Sequence, residues 1–203
     1  MLRRFAKEGY LAVAPDLMAR QGSPADYDDD VELMVKHLLR RVGDQQVMQD
    51  LDGVLDWALE NGVVIHRVGI SGFSWGGRWA WLFAAHSRRP TAVVSWYGVL
   101  DDQYSQLLPD RALFPHHPIE LVERLQVPVL GLYAGQDSVI PMRSVDEMRA
   151  ALARRPVQEP EVDFAVYLSS VHGFHADWRD DYDADAAADA WTRGLCWLRA
   201  HGV

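Results

Sequence analysis

Apolar positions along the chain fall into two alternating patterns. Short continuous apolar runs occupy residues 10–14, 68–70, 91–96, 127–133 and 162–168. Mostly apolar runs of this length read as parallel strands buried on both faces. Between them apolar residues recur at helical spacing. Residues 5–8 end a helix stopped by Gly9. Val31, Met34, Val35 and Leu38 mark a second helix, opened by the solvated acidic triplet Asp28-Asp29-Asp30. Val47, Leu51, Val54, Leu55 and Ala58 lie on one side of a helix over 44–60, ended by Gly62. Trp79, Trp81, Leu82 and Phe83 lie in the helical run 78–86. Residues 119–125 form a short helix, 144–154 a helix with Ser144 and Glu147 as a capping box, and 181–201 the closing helix. Residues 98–118, with Pro109, Pro115 and Pro118, form a long connection, and connections of that length are often functional.

Strands that alternate with helices predict an α/β fold, a mainly parallel sheet with helices on both faces. Residues 1–203 read as a single domain, without internal repeat or low-complexity linker. In such sheets the site lies at the carboxyl ends of the strands.

Composition narrows the partners. The chain has 203 residues, 49% hydrophobic and 24% charged, ordinary for a soluble globular protein. Eight tryptophans suggest a well-filled core or an aromatic pocket. A formal charge of −9 argues against nucleic acid and anionic membrane surfaces. No apolar run approaches the roughly 20 residues of a membrane span, and no signal-peptide core follows Met1. The single cysteine, Cys196, has no internal partner for a disulfide, and the expected location is the cytoplasm.

The candidate chemistry centres on Val68-Gly69-Ile70-Ser71-Gly72-Phe73-Ser74-Trp75-Gly76-Gly77. Gly72, Ser74 and Gly76 fit G-x-S-x-G between an apolar strand and a helix. A nucleophile on a tight strand-to-helix turn needs small flanking residues so that strand and helix can close up. The turn aims the first N–H groups of the helix at an oxygen turning negative beside Ser74, and the Trp75 N–H is the expected oxyanion donor. A serine hydroxyl also needs a base, and the base an orienting acid. Asp137 follows the strand ending at Tyr133, and His172 follows the one ending at Leu168. The order Ser74, Asp137, His172 is that of α/β-hydrolases. His175 is the rival base and otherwise a pocket residue. Arg20 could meet a substrate carboxylate, or hold its own loop.

Asp181, Asp183 and Asp185 mimic the opening of a calcium loop, but Ala186 and Thr192 stand where a glycine and a glutamate are required, so a solvated helix start is the better reading. His116-His117 has no acidic or cysteine partner at ligand spacing. No metal and no cofactor is expected.

Gly72-Phe73-Ser74-Trp75-Gly76-Gly77-Arg78, Leu132-Tyr133-Ala134-Gly135-Gln136-Asp137 and Val171-His172-Gly173-Phe174 resemble the dienelactone hydrolase family. So do Gly9-Tyr10-Leu11-Ala12-Val13-Ala14-Pro15-Asp16-Leu17 and Ala19-Arg20-Gln21. The resemblance implies an α/β-hydrolase fold without a large lid, acting on small esters or lactones without metal or cofactor. Many members of that family carry cysteine where this chain has Ser74, so more depends here on His172 and Asp137. The family also has strands ahead of Gly9-Tyr10, and a loop there supplies a second oxyanion N–H. The expectation is a sheet lacking those front strands, with an exposed edge and a monomer or weak homo-oligomer. The expected function is hydrolysis of a small ester or lactone through an acyl-enzyme. The alternatives are a non-catalytic relative that binds a ligand or partner, and an acyltransferase using the same triad.

Overall fold

The structure is a computed structural model that describes residues 1–27, 30–103, 108, 110–156 and 160–203. Asp28, Asp29 and Pro109 lie outside the described residues. Four strands form one sheet: β1 (Gly69–Phe73), β2 (Ala92–Trp96), β3 (Val129–Ala134) and β4 (Val162–Tyr167). Their spatial order is β1-β2-β3-β4, and every pair is parallel. Parallel strands need crossovers, and helices supply them. The helices are α1 (Leu2–Lys7), α2 (Val31–His37), α3 (Asp44–Glu60), α4 (Trp75–His86), α5 (Met142–Ala153) and α6 (Ala184–Ala200).

The continuous apolar runs are explained by burial on two sides. On β2, Val93 packs with Trp81 of α4 and Met148 of α5 in one cluster. Its neighbours Ala92, Val94 and Trp96 pack with Ala190 and Leu198 of α6 in the opposite cluster. Every residue of β2 and β3 is buried, so no polar alternation is left to see. A third cluster joins Val47 and Leu55 of α3 to Trp79 and Phe83 of α4. It ties the helical layer to the loop residues Leu108 and Phe114.

Two expectations are corrected, for residues 10–14 and for Ser144. Residues 10–14 belong to no strand, and Leu11 is 69% exposed. A strand exists only where a neighbour accepts its hydrogen bonds, and β1 pairs with β2 alone among the described strands. The segment's apolar character therefore does not become sheet. The short helix expected over 119–125 is present as a seven-residue 3₁₀ helix, Pro118–Arg124, which begins at a proline and is long for its type. Ser144 is not a cap: α5 starts at Met142 behind Pro141, and Ser144 is buried inside its first turn. Glu147 instead meets Arg143.

Other boundaries follow the local chemistry. Gly9 and Gly62 take positive φ where α1 and α3 end. Asp30 caps α2 by accepting from the Leu33 N–H at 2.9 Å. Asp183 caps α6 by accepting from the Ala186 N–H at 3.0 Å. That cap bears out the solvated helix start in place of a calcium loop. Among the described residues, no cluster of His, Cys, Asp and Glu could hold a metal ion. No helix among them is long and apolar enough to cross a membrane.

Candidate active site

The carboxyl ends of the four strands bring the predicted residues together. Ser74 caps α4 directly after β1, with φ 52° and ψ −110°. That is left-handed backbone, unusual for a residue with a side chain. It is held from both sides: the Ser74 N–H donates to the Trp96 carbonyl at 2.8 Å, and the Ser74 carbonyl accepts from the Arg78 N–H at 3.0 Å.

Close approach makes the turn possible. A Cβ on Gly72 would lie 2.1 Å from the Gly76 carbonyl oxygen, and one on Gly77 would lie 2.7 Å from the Gly98 Cα. Gly76 itself has open space where a Cβ would sit. The steric demand of the turn thus falls on Gly72 and Gly77, not on the last glycine of the G-x-S-x-G pattern.

The Ser74 hydroxyl donates to His172 Nε2 at 3.0 Å. His172 Nδ1–H donates to Asp137 Oδ2 at 2.8 Å. The acceptor carboxylate fixes the proton on Nδ1 and leaves the Nε2 lone pair facing the hydroxyl. Asp137 Oδ1 accepts from the N–H groups of Val139 and Ile140, both at 2.8 Å, so both of its oxygens are anchored. Its side chain is fully buried, while that of His172 is 18% exposed. The arrangement can move a proton off Ser74, keep it on an oriented imidazole and return it. Trp75 is the first residue of α4, so its N–H has no acceptor within the helix and can serve a developing oxyanion.

His175 and Arg20 take no part in the hydrogen-bonded relay of Ser74, His172 and Asp137. His175 is 4% exposed, and its ring packs among Phe73, Trp96 and Trp191. Arg4 of α1 donates to its Nε2 at 3.2 Å. Burial, reinforced by the Arg4 charge, pushes the His175 pKa down to about 4. Arg20 is ion-paired with Asp50 of α3. Both line a groove of about 390 Å³ with Val13, Gln49 and Trp57, and none of Ser74, Asp137 and His172 lines that groove.

Two features of the site have no counterpart in the sequence reading. Arg78, one turn into α4, is fully buried and grips Asp44 of α3 with both terminal nitrogens; Trp79 Nε1 donates to the same carboxylate at 3.2 Å. Arg78 Nη2 also donates to the His116 carbonyl at 2.8 Å. Tyr97, directly after β2, sets its ring edge-on against His172 with centroids 5.1 Å apart. The aromatic-aromatic-glycine run Trp96-Tyr97-Gly98 at a strand's carboxyl end was the signal available for it.

Residues 1–202 match the profile of the dienelactone hydrolase family. The chain belongs to the dienelactone hydrolase family. It is an enzyme of the carboxylic ester and lactone hydrolase class, on an α/β-hydrolase fold. An Escherichia coli K12 protein named "Putative carboxymethylenebutenolidase" is 43% identical over 201 residues, covering 98% of this chain and 70% of that protein. A crystal structure of a "Putative Dienelactone Hydrolase" from Klebsiella pneumoniae superposes with a TM-score of 0.88 at 42% identity. The match covers 97% of this chain and 78% of that one. A Bradyrhizobium protein named "Probable 2-oxo-3-(5-oxofuran-2-ylidene)propanoate lactonase" is 26% identical over 197 residues, 97% of this chain and 75% of that protein.

Proposed function

We propose that this member of the family is a serine hydrolase that opens a small ester or lactone through an acyl-enzyme. The observation that carries the reading is the unbroken relay Ser74 Oγ to His172 Nε2 to Asp137, at 3.0 and 2.8 Å, on a left-handed elbow. Ser74 attacks the carbonyl carbon as His172 takes the hydroxyl proton. The Trp75 N–H stabilises the oxyanion. His172 then gives the proton to the leaving-group oxygen, and the C–O bond breaks. Water attacks the acyl-enzyme with His172 again as base, and Ser74 recovers its proton. Asp137 holds the tautomer and stabilises the imidazolium.

The decisive experiment labels Ser74 with a fluorophosphonate and follows turnover of an aryl ester and an unsaturated lactone. Ser74→Ala should lose both labelling and turnover while keeping its melting temperature. Asp137→Asn should fold normally and lose about 10⁴-fold in kcat through the wrong tautomer. Near wild-type turnover by Ser74→Ala would end the serine mechanism. An added alcohol acceptor separates hydrolysis from acyl transfer, which would convert it to a new ester.

The lactone named for the Bradyrhizobium relative carries a carboxylate, and Arg20 is our proposal for reading one. The Asp50 carboxylate that now occupies Arg20 would have to yield to it. Arg20→Met should then raise KM for acidic esters and leave neutral esters unchanged; equal changes on both would confine Arg20 to its ion pair.

A further inference from the structure

Among the described residues, two non-glycine residues have positive φ: Ser74 at 52° and Tyr97 at 38°. They sit side by side. Phe73 and Trp96 are in register across β1 and β2, and each is followed by its left-handed residue. The Tyr97 N–H donates to the Leu132 carbonyl at 2.7 Å, so the turn is anchored to β3. Gly98 then packs against the elbow helix, where a Cβ would lie 2.5 Å from the Gly77 carbonyl carbon. These contacts account for the turn. They do not call for a phenol, since glycine adopts positive φ with less strain.

The ring has its own explanation. It is 5% exposed and stands edge-on to His172 and to Phe174, at 5.1 and 5.5 Å between centroids. A phenylalanine would fill that space equally well.

The hydroxyl is left over. The Tyr97 hydroxyl is not sealed from solvent, whereas other tyrosines here pair theirs within the protein. Tyr133 accepts from Trp81 Nε1 at 3.0 Å and donates to the Gly98 carbonyl at 3.1 Å. Tyr167 donates to Asp189 at 2.8 Å. The Tyr97 hydroxyl has no hydrogen-bond partner among the described residues. The Arg179 and Asp137 charges act on it, and the ring that carries it stands against His172. Burial holds its pKa well above the ordinary value, so it remains a neutral O–H donor throughout the working range of an imidazole base.

We propose that the Tyr97 hydroxyl is a substrate-binding donor, hydrogen-bonded to an acceptor oxygen of the bound ester or lactone beside His172. It is a specificity-determining residue of the reaction, and the proposal rests on the reading of Ser74 as the nucleophile. The substrates it favours carry a further acceptor oxygen near the scissile carbonyl, as oxo- or hydroxy-substituted esters and lactones do. A site that hydrogen-bonds such an oxygen discriminates against analogues lacking it, because its own donor is then left unpaired.

The test is Tyr97→Phe in the full chain, measured beside wild type by fluorophosphonate labelling, melting temperature, steady-state turnover and pH profile. Labelling of Ser74 in both proteins secures the nucleophile reading independently; its failure in wild type would remove that reading and this proposal with it. Given labelling, kcat/KM on an unsaturated lactone should fall about tenfold, the scale of one lost neutral hydrogen bond. The melting temperature should stay the same or rise, because the hydroxyl makes no hydrogen bond to the described residues in the free protein. The pH profile should not move. Turnover within twofold of wild type, a lowered melting temperature, or a shifted pH profile would each overturn the proposal. The first denies a substrate contact, the second makes the hydroxyl structural, and the third makes it act through His172.

Discussion

His172 and His175 belong to one loop but live in different surroundings. His172 is partly exposed and holds a hydroxyl on one nitrogen and a carboxylate on the other. His175 lies inside the aromatic layer between β1 and α6, with Arg4 on Nε2. Its low pKa is a statement about stability. Above pH 6.5, its ordinary pKa, His175 is neutral both folded and unfolded, and its packing contributes in full. As pH falls below 6.5 the unfolded chain takes up the proton first, so stability is lost down to about pH 4, where the folded state also protonates. His175→Gln keeps an acceptor for Arg4 without titrating in this window. Its stability should therefore fall less steeply than wild type between those two pH values, as read from denaturant midpoints. Parallel slopes would mean that His175 is not held neutral. Order along the chain singled out His172 as the candidate base, but only packing could show that its neighbour is closed in.

At the scale of elements, the elbow shows how far a local motif can be read. The sequence signalled strand, turn and helix, and all three are present. What it misassigned was the burden on each glycine. Gly77 is pressed against Gly98, which is remote in sequence, and Gly76 faces open space. Gly76→Ala should thus be tolerated and add up to about 1 kcal/mol through helix propensity. Gly77→Ala must push backbone away from backbone and should destabilise by about 1–3 kcal/mol or more, as overpacking does. Thermal unfolding of the two variants side by side decides it, and a reversed order would refute this account of the turn. The same limit explains the other misses. The strands β2 and β3 were legible because burial on both faces leaves few polar residues, yet residues 10–14 are equally apolar and pair with no strand among the described residues. Asp44 looked like an ordinary helix opening until the fold brought it to Arg78. Pairing partners, unlike propensities, are not written in the neighbouring residues.

For the whole molecule, β1 at the end of the sheet is the consequential feature. Its outward backbone groups meet no strand among the described residues. Apolar side chains are exposed in the segments that precede it in the chain: Leu11 is 69%, Val13 46%, Trp57 45% and Val64 55% exposed. Val13 and Trp57 line one groove, whose charged residues, Arg20, Asp16 and Asp50, include the ion pair of Arg20 with Asp50. An open strand edge and exposed apolar side chains each favour association with a second chain. The formal charge of −9 opposes association at low salt, and salt screens that repulsion. The expected behaviour is therefore a monomer at low concentration and low salt, with a mass in light scattering that rises with both. Leu168, 74% exposed just beyond β4 at the opposite edge, supplies the control. Val13→Lys with Trp57→Lys should suppress association, whereas Leu168→Lys should not. Suppression by Leu168→Lys alone would move the sticky edge to β4, and a mass independent of concentration and salt would show that the apolar segments already satisfy the β1 edge.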